Sequence, residues 1–222
     1  MINNPLQTPV KPDGSGRDTG PTAPSPGFLE LVRASRGKLE ETFVRGATPD
    51  LEALVGWEFR GANTTLLAGL LGIKKFIKGF YRAPADRGLP GPATGKADGD
   101  LVYGYNCSVR RNRLDGPWQA LPSHDQPRRF GFFLVHPVDP TGRDNAYLHA
   151  LLLDYSRGNN RSFDPANGLR DYLVEVREGG DKGDRDSVLY LGKAYYALGP
   201  ARPAVSFFVL ERLRRGPVSP RF

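Results

Sequence analysis

Eight short runs rich in β-branched and aromatic residues follow one another after residue 54, with almost no helical sequence between them. Most connections between the runs are rich in Gly, Pro and Asp and are too short or too polar for a helix. Parallel strands need a helical crossover at each step, so these strands are predicted to be antiparallel, each beside the next. The predicted strands cover residues 54–60, 75–82, 100–109, 130–136, 146–155, 171–177, 187–198 and 204–213.

A sheet of eight sequential antiparallel strands removes its exposed edges by closing into a barrel. We therefore predict a mainly β fold, an eight-stranded antiparallel up-and-down barrel; the alternative is a two-sheet sandwich. A barrel of this size holds either packed side chains or one small ligand. The single cysteine, Cys107, excludes an intramolecular disulfide framework and a multi-cysteine zinc site.

Helical patterns precede and follow the first predicted strand. Apolar residues at helical spacing predict an N-terminal helix over 28–45 that ends at Gly46, and Thr48-Pro49-Asp50 begins a second, short one. A short helical lid is predicted between strands 1 and 2, from Asn63 to Gly72. The Pro- and Gly-rich residues 1–27 are predicted to form a disordered tail, which leaves 28–222 as a single barrel domain. The tail lacks the basic start and apolar core of a secretory signal, so we expect a cytoplasmic protein.

A tryptophan on the first strand and an arginine on the last strand add to this layout. Trp57 and Arg212 occupy those positions. Over residues 54–213 the layout resembles the calycin group, which contains the lipocalins and the fatty-acid-binding proteins. The resemblance implies that the arginine packs across the tryptophan to close the base of the barrel. It also implies that the helical segment after strand 1 corresponds to the lid of fatty-acid-binding proteins.

Charge is unevenly divided between the two ends of such a barrel. Basic residues outnumber acidic ones in the connections at one end, which include Lys74, Lys75, Lys78 and segments 110–129, 156–170 and 199–203. Acidic residues slightly outnumber basic ones at the other end, in segments 83–99, 137–145 and 178–186. A basic mouth of this kind steers anions to one end of the barrel.

Several polar and aromatic residues are candidates for a ligand site. Alternation along the strands places Tyr103 and Tyr105 on one face, and His149 and Tyr155 on another. The loop 156–161 combines a glycine, paired asparagines and two arginines, a composition suited to binding an anion. The predicted ligand-binding residues are Trp57, Tyr103, Tyr105, His149, Tyr155, Arg128, Arg129, Arg157, Asn159 and Arg161.

We predict a binding protein for a small apolar or amphipathic ligand whose anionic head group lies at the basic mouth. The alternative is a barrel-fold enzyme of the isomerase, cyclase or hydratase type, with an acid/base pair drawn from Tyr103, His149, Asp154 or Lys193. The lid sequence also suits an anionic membrane surface. Binding of nucleic acid is disfavoured because no recognised motif is present.

Neither a cofactor nor a metal site is predicted, and the sequence does not indicate an oligomeric state. The three histidines, His124, His136 and His149, lack metal-ligand spacing. Both faces of several strands are apolar, so part of the outer wall is expected to be covered by helix 28–45 or by a second subunit.

Overall fold

A computed structural model describes residues 23–64, 74–83, 101–176 and 188–217. Its eight strands form a closed barrel in which each strand is antiparallel to the next and the last pairs with the first. This confirms the predicted up-and-down barrel and excludes the sandwich. The strands are β1 (Trp57–Asn63), β2 (Lys75–Ala83), β3 (Leu101–Ser108), β4 (Arg129–Pro137), β5 (Leu151–Asp154), β6 (Leu169–Val176), β7 (Leu189–Tyr196) and β8 (Ala204–Arg215).

The barrel interior is lined by aromatic and aliphatic side chains at alternate positions of the strands. Rings meet there from strands that are not neighbours in the sheet. Phe59 of β1 contacts Tyr190 of β7 at 5.5 Å between ring centroids, and Phe80 of β2 contacts Phe133 of β4 at 5.8 Å. Contacts of this kind are available only to side chains that point inward.

We call the end of the barrel near Asn63, where β1 ends, the upper rim, and the opposite end the lower rim.

The outer wall carries a second apolar cluster, and two helices cover part of it. Helix α1 (Pro26–Arg33) packs on β8, and α2 (Arg36–Arg45) packs on β6 and β7. Phe28 and Phe43 of these helices are fully buried. The predicted helix 28–45 is therefore two helices, because the Ser35 side chain caps a new helix by accepting from the backbone N–H of Lys38.

A one-turn helix, α3 (Leu51–Leu54), leads into the barrel at the lower rim. Its N-cap is Asp50, whose side chain accepts from the backbone N–H of Glu52 at 3.0 Å. Leu54, at the end of α3, is fully buried and belongs to the apolar core inside the barrel. The short second helix expected after Thr48 is thus present.

The connection from β4 to β5 runs along the outer wall and does not stay at the lower rim. Asp144 in this segment accepts from Arg202 Nε at 3.1 Å and lies 3.3 Å from Arg170 Nε, and both arginines belong to the upper rim. The assignment of segment 137–145 to the acidic end is therefore wrong for Asp144. An extended strap across the wall brings this carboxylate to the basic end.

The predicted lid lies almost wholly within 65–73, outside the described residues, as do residues 1–22 of the predicted tail. The long connections at 84–100 and 177–187 are also outside them. No helix in the described ranges combines the length and the apolar character needed to cross a bilayer.

Candidate functional site

Lys78 places an ammonium group inside the barrel. Phe76, Lys78 and Phe80 alternate along β2, so all three side chains point inward. The residue is 1% exposed. Its Nζ donates a hydrogen bond to the Tyr155 hydroxyl oxygen at 2.8 Å and lies 3.5 Å from Oδ2 of Asp171.

Tyr155, Asp171 and Asn106 complete a buried polar cluster around this lysine. The Tyr155 hydroxyl donates to Asp171 Oδ2 at 3.0 Å. Asn106 Nδ2 donates to the carbonyl oxygen of Gly131 at 2.9 Å and lies 3.3 Å from the Tyr155 hydroxyl. We call Lys78, Asn106, Tyr155 and Asp171 the interior cluster. Strands β2, β3 and β6 and the turn after β5 each supply one member, so barrel closure assembles it.

Aromatic rings surround the ammonium group on the sides that the polar partners leave open. Lys78 Nζ lies 4.4 Å from the centroid of Phe133. It lies 5.2–5.6 Å from the centroids of three further rings, those of Phe208, Tyr155 and Phe76. Ring faces attract a cation, and more strongly where water is excluded. The charged lysine is thus held by one carboxylate and an aromatic lining.

Burial shifts the pKa values of Lys78 and Asp171 toward each other. It lowers the pKa of Lys78 to about 8, although Asp171 opposes the change. It raises the pKa of Asp171, with Lys78 as the main opposing influence, and it raises the pKa of Tyr155 well above its ordinary value. An amine and a carboxylate whose pKa values approach each other exchange a proton more readily than an ordinary pair. The cluster can therefore donate hydrogen bonds to a bound acid or accept a proton from it.

Two of the ten predicted ligand-binding residues, Trp57 and Tyr155, lie in the barrel interior. Tyr155 belongs to the interior cluster, whereas Trp57 lies near the lower rim. The Trp57 ring contacts the guanidinium carbons of Arg212, at 4.3 Å from its centroid, and of Arg215, at 3.8 Å. The arginine-on-tryptophan packing implied by the calycin resemblance is therefore present at the lower rim.

Tyr103, Tyr105 and His149 lie on the outer wall, not in the interior. Tyr103 stacks on a neighbouring tyrosine, Tyr81, with centroids 6.0 Å apart. Tyr105 donates to Glu58 at 2.8 Å, and His149 Nε2 lies 3.3 Å from the carbonyl oxygen of Phe43 in α2. These three side chains therefore do not share a cavity with Tyr155. The sequence did not distinguish the two faces because the covered outer face is as apolar as the inner one.

The acid/base residues suggested for an enzyme do not converge inside the barrel either. Besides Tyr103 and His149, Lys193 lies under α2, 2.6 Å from Glu40, and Asp154 lies 3.1 Å from Arg170 Nε. None of the four points into the interior, so they cannot act together on a ligand held there.

The predicted head-group arginines are spread over the surface. The Arg129 guanidinium lies 4.9 Å above the Tyr105 ring on the outer wall, and Arg128 and Arg161 are exposed. Arg157 is near enough to Tyr103 for its charge to oppose the rise in the Tyr103 pKa that burial causes. These four arginines therefore do not form a single anion-binding site.

The loop 156–161 is fastened to β4. Asn160 donates from Nδ2 to the carbonyl oxygens of Phe132 at 2.7 Å and Tyr155 at 2.9 Å, and its Oδ1 accepts from the Phe132 N–H at 2.8 Å. Gly158 has φ −86°, which is not left-handed. Asn160 and the closely packed Gly158 therefore hold the loop in place, whereas Ser156, Asn159 and Arg161 are exposed.

Lys78, Asn106 and Asp171 were missed from the sequence, although a signal was present. Lys78 was counted among the rim charges, but it alternates with Phe76 and Phe80 in the run KFIKGF. A charged residue two positions from each of two aromatic residues in a strand lies on the same face as they do. The same pattern places Asp171 between Leu169 and Leu173.

Comparison of the chain with protein-family models, curated proteins and solved structures gives no match. The closed antiparallel barrel is consistent with a calycin-like layout. The case for function therefore depends on the geometry of the site itself.

Proposed function

We propose that the barrel binds a small apolar or amphipathic ligand, with the anionic head group at the interior cluster. The observation that carries this proposal is the fully buried ammonium of Lys78, enclosed by aromatic rings. Removing an ammonium group from water costs several kcal/mol. An apolar side chain of similar volume often stabilises a fold at least as well as a buried ion pair does. A buried, perturbed charge in such a place is typical of a functional site.

The chemistry of the cluster suits a carboxylate head. Lys78 supplies a positive charge, and Asn106 and Tyr155 supply further hydrogen-bond donors. The pKa of Asp171 is raised by burial, so this carboxylate can take up a proton as an anion enters, which removes its repulsion. Aromatic side chains such as Phe133 and Phe208 suit the apolar part of the ligand. Exposed cations at the upper rim, including Arg110 and Arg111, favour the approach of an anion.

Titration with cis-parinaric acid, a fluorescent fatty acid, tests this proposal. We expect saturable binding by the natural protein and at least ~10-fold weaker binding by Lys78→Met, equivalent to about 1.4 kcal/mol. Lys193→Met is the matched control, because that lysine lies on the outer wall, and it is expected to bind within about twofold of the natural protein. Circular dichroism checks that both variants fold.

Equal affinity of Lys78→Met and the natural protein for the fatty acid would show that the head group does not bind at the interior cluster. Absence of saturable binding, together with native mass spectra that show no apolar adduct, would overturn the carrier function altogether.

A barrel-fold enzyme is the second candidate, and the contact between the Lys78 amine and the Tyr155 phenol favours it. With Asp171, these groups form an acid/base set of the kind that moves protons next to a carbonyl. We would incubate the protein with 2-decanone in heavy water and measure exchange of the α-protons by mass spectrometry. Exchange that is lost in Lys78→Met and Tyr155→Phe supports an enzyme, and exchange at the background rate supports a carrier.

A further inference from the structure

A small basic concavity lies on the outside of the barrel at the upper rim. It has a volume of about 260 Å³ and lies where β2 begins and β3 has ended. Its lining consists of Lys74, Lys75, Val109, Arg110, Arg111, Asn112, Arg113 and Leu114. Five of these residues are basic and none is acidic. We call this concavity the rim pocket.

Lys75 builds the floor of the rim pocket. Its Nζ donates to Asn112 Oδ1 and to the carbonyl oxygens of Arg113, at 2.9 Å, and Gly116, at 3.1 Å. It also lies 3.6 Å from the centroid of the Trp118 ring. The turn after β3 therefore wraps around one ammonium group. This fixes the backbone that carries the neighbouring arginines.

Three cations at the edge of the pocket, Lys74, Arg110 and Arg111, are exposed. Among the described residues they make no ion pair, whereas Arg113 pairs with Asp115 at 3.2 Å. Like charges that line one small concavity repel one another, and a bound anion relieves that repulsion.

We infer that the rim pocket binds a phosphate group. Arginine presents planar, paired donors that match phosphate oxygens, and Lys74 adds a point charge beside them. The volume is below the range usual for drug-sized ligands, so it suits a phosphate or pyrophosphate group and little more. Val109 and Leu114 pack with the outer cluster, so the pocket lies outside the barrel wall. The inference is therefore independent of the proposed interior ligand.

Isothermal titration with inorganic pyrophosphate at low ionic strength tests the inference. We expect saturable binding by the natural protein and at least ~10-fold weaker binding by the double variant Arg110→Gln/Arg111→Gln. The control is Arg36→Gln/Arg45→Gln, which removes the same charge from exposed positions on α2 and is expected to change affinity less than about twofold. No saturable heat, or an equal loss in both double variants, would overturn a specific site.

Two further arms identify the source of the phosphate. Vesicles of phosphatidylcholine with and without phosphatidic acid test a lipid head group, and preferential binding to the acidic vesicles, lost in the pocket variant, supports the site. Competition between pyrophosphate and a single-stranded oligonucleotide tests the alternative. If the oligonucleotide displaces pyrophosphate and binds far more tightly, the surface is a nucleic-acid interface and the inference is wrong.

Discussion

At the scale of single residues, Lys78 is a buried charge whose pKa burial changes strongly. Burial lowers its pKa from 10.5 to about 8, and the neighbouring Asp171 compensates only in part. Between these two pH values the unfolded chain binds more protons than the folded one, so the contribution of Lys78 makes the free energy of unfolding rise with pH. Below about pH 8 both states are protonated, and the full cost of burying the charge is present.

Lys78→Met is expected to remove this contribution. The free energy of unfolding of the natural protein minus that of the variant should rise steadily with pH from about 8 toward 10.5. Urea unfolding across this range measures it. In Lys193→Met the rise should persist, because the pKa of Lys193 is itself raised and lies above this window. Parallel pH profiles for the natural protein and Lys78→Met would contradict the assignment of the rise to Lys78.

Gly158 illustrates a second residue-scale constraint, which is steric. A Cβ atom at this position would overlap the backbone carbonyl of Phe132, which cannot move without breaking the fastening of loop 156–161. We expect Gly158→Ala to lower the free energy of unfolding by more than ~2 kcal/mol. Gly37, in α2, has open space around its Cα, so Gly37→Ala should raise stability by about 0.5–1 kcal/mol. Urea unfolding of the two alanine variants gives both values, and a loss of similar size in each would refute the steric argument.

At the scale of elements, Phe43 is one of two α2 side chains that are buried against the barrel, the other being Leu39. Phe43 is fully buried and meets the Tyr147 and Phe207 rings at 5.0 and 6.1 Å. We expect Phe43→Ala to cost about 3–5 kcal/mol, the usual range for emptying such a site. The adjacent Val44 is 56% exposed, so Val44→Ala should cost less than ~0.5 kcal/mol. Chemical denaturation followed by circular dichroism measures both, and a small effect at Phe43 would show that α2 contributes little.

The strands and their order could be predicted from the sequence because alternation and turn residues are local signals. The direction in which each face points could not. Tyr103 and Tyr105 share a face, as predicted, but that face lies on the outer wall. Alternation distinguishes an inner from an outer face only when one of them is polar, and here the helices and loops keep both faces dry.

The same limitation hid the candidate site. Residues of the interior cluster come from segments that are far apart in sequence, and only closure of the sheet places Lys78 beside Asp171 and Tyr155. Charge counts by connection failed for Asp144 because a connection can cross the whole wall before the next strand begins. The path of a long loop depends on packing, which leaves no periodic trace in the sequence.

At the scale of the whole molecule, one wall of strands serves two apolar cores. Phe59 and Phe133 belong to the interior core, while Ile77 and Leu134, on the same strands as residues of that core, belong to the outer one. Neither core can persist without the strands that it shares with the other. The cores are therefore expected to unfold together.

The two tryptophans report on the two cores separately. Trp57 lies in the interior core, and Trp118 lies in the outer one, where its Nε1 donates to the carbonyl oxygen of Phe76 at 3.1 Å. Trp118→Phe and Trp57→Phe each leave one reporter. In each variant, the urea midpoints from fluorescence and from far-ultraviolet circular dichroism should coincide. Separate midpoints in either variant would show that one core melts before the other.

Pairing of β1 with β8 has a consequence for the newly made chain. The first strand stays without one of its two neighbours until β8, about 150 residues later, has left the ribosome. During that interval its open edge invites pairing with another chain, which is the route to aggregation. The apolar run Phe207–Leu210 of β8 carries the same hazard. Four charged residues follow it, Glu211, Arg212, Arg214 and Arg215, and charges at such positions oppose self-association.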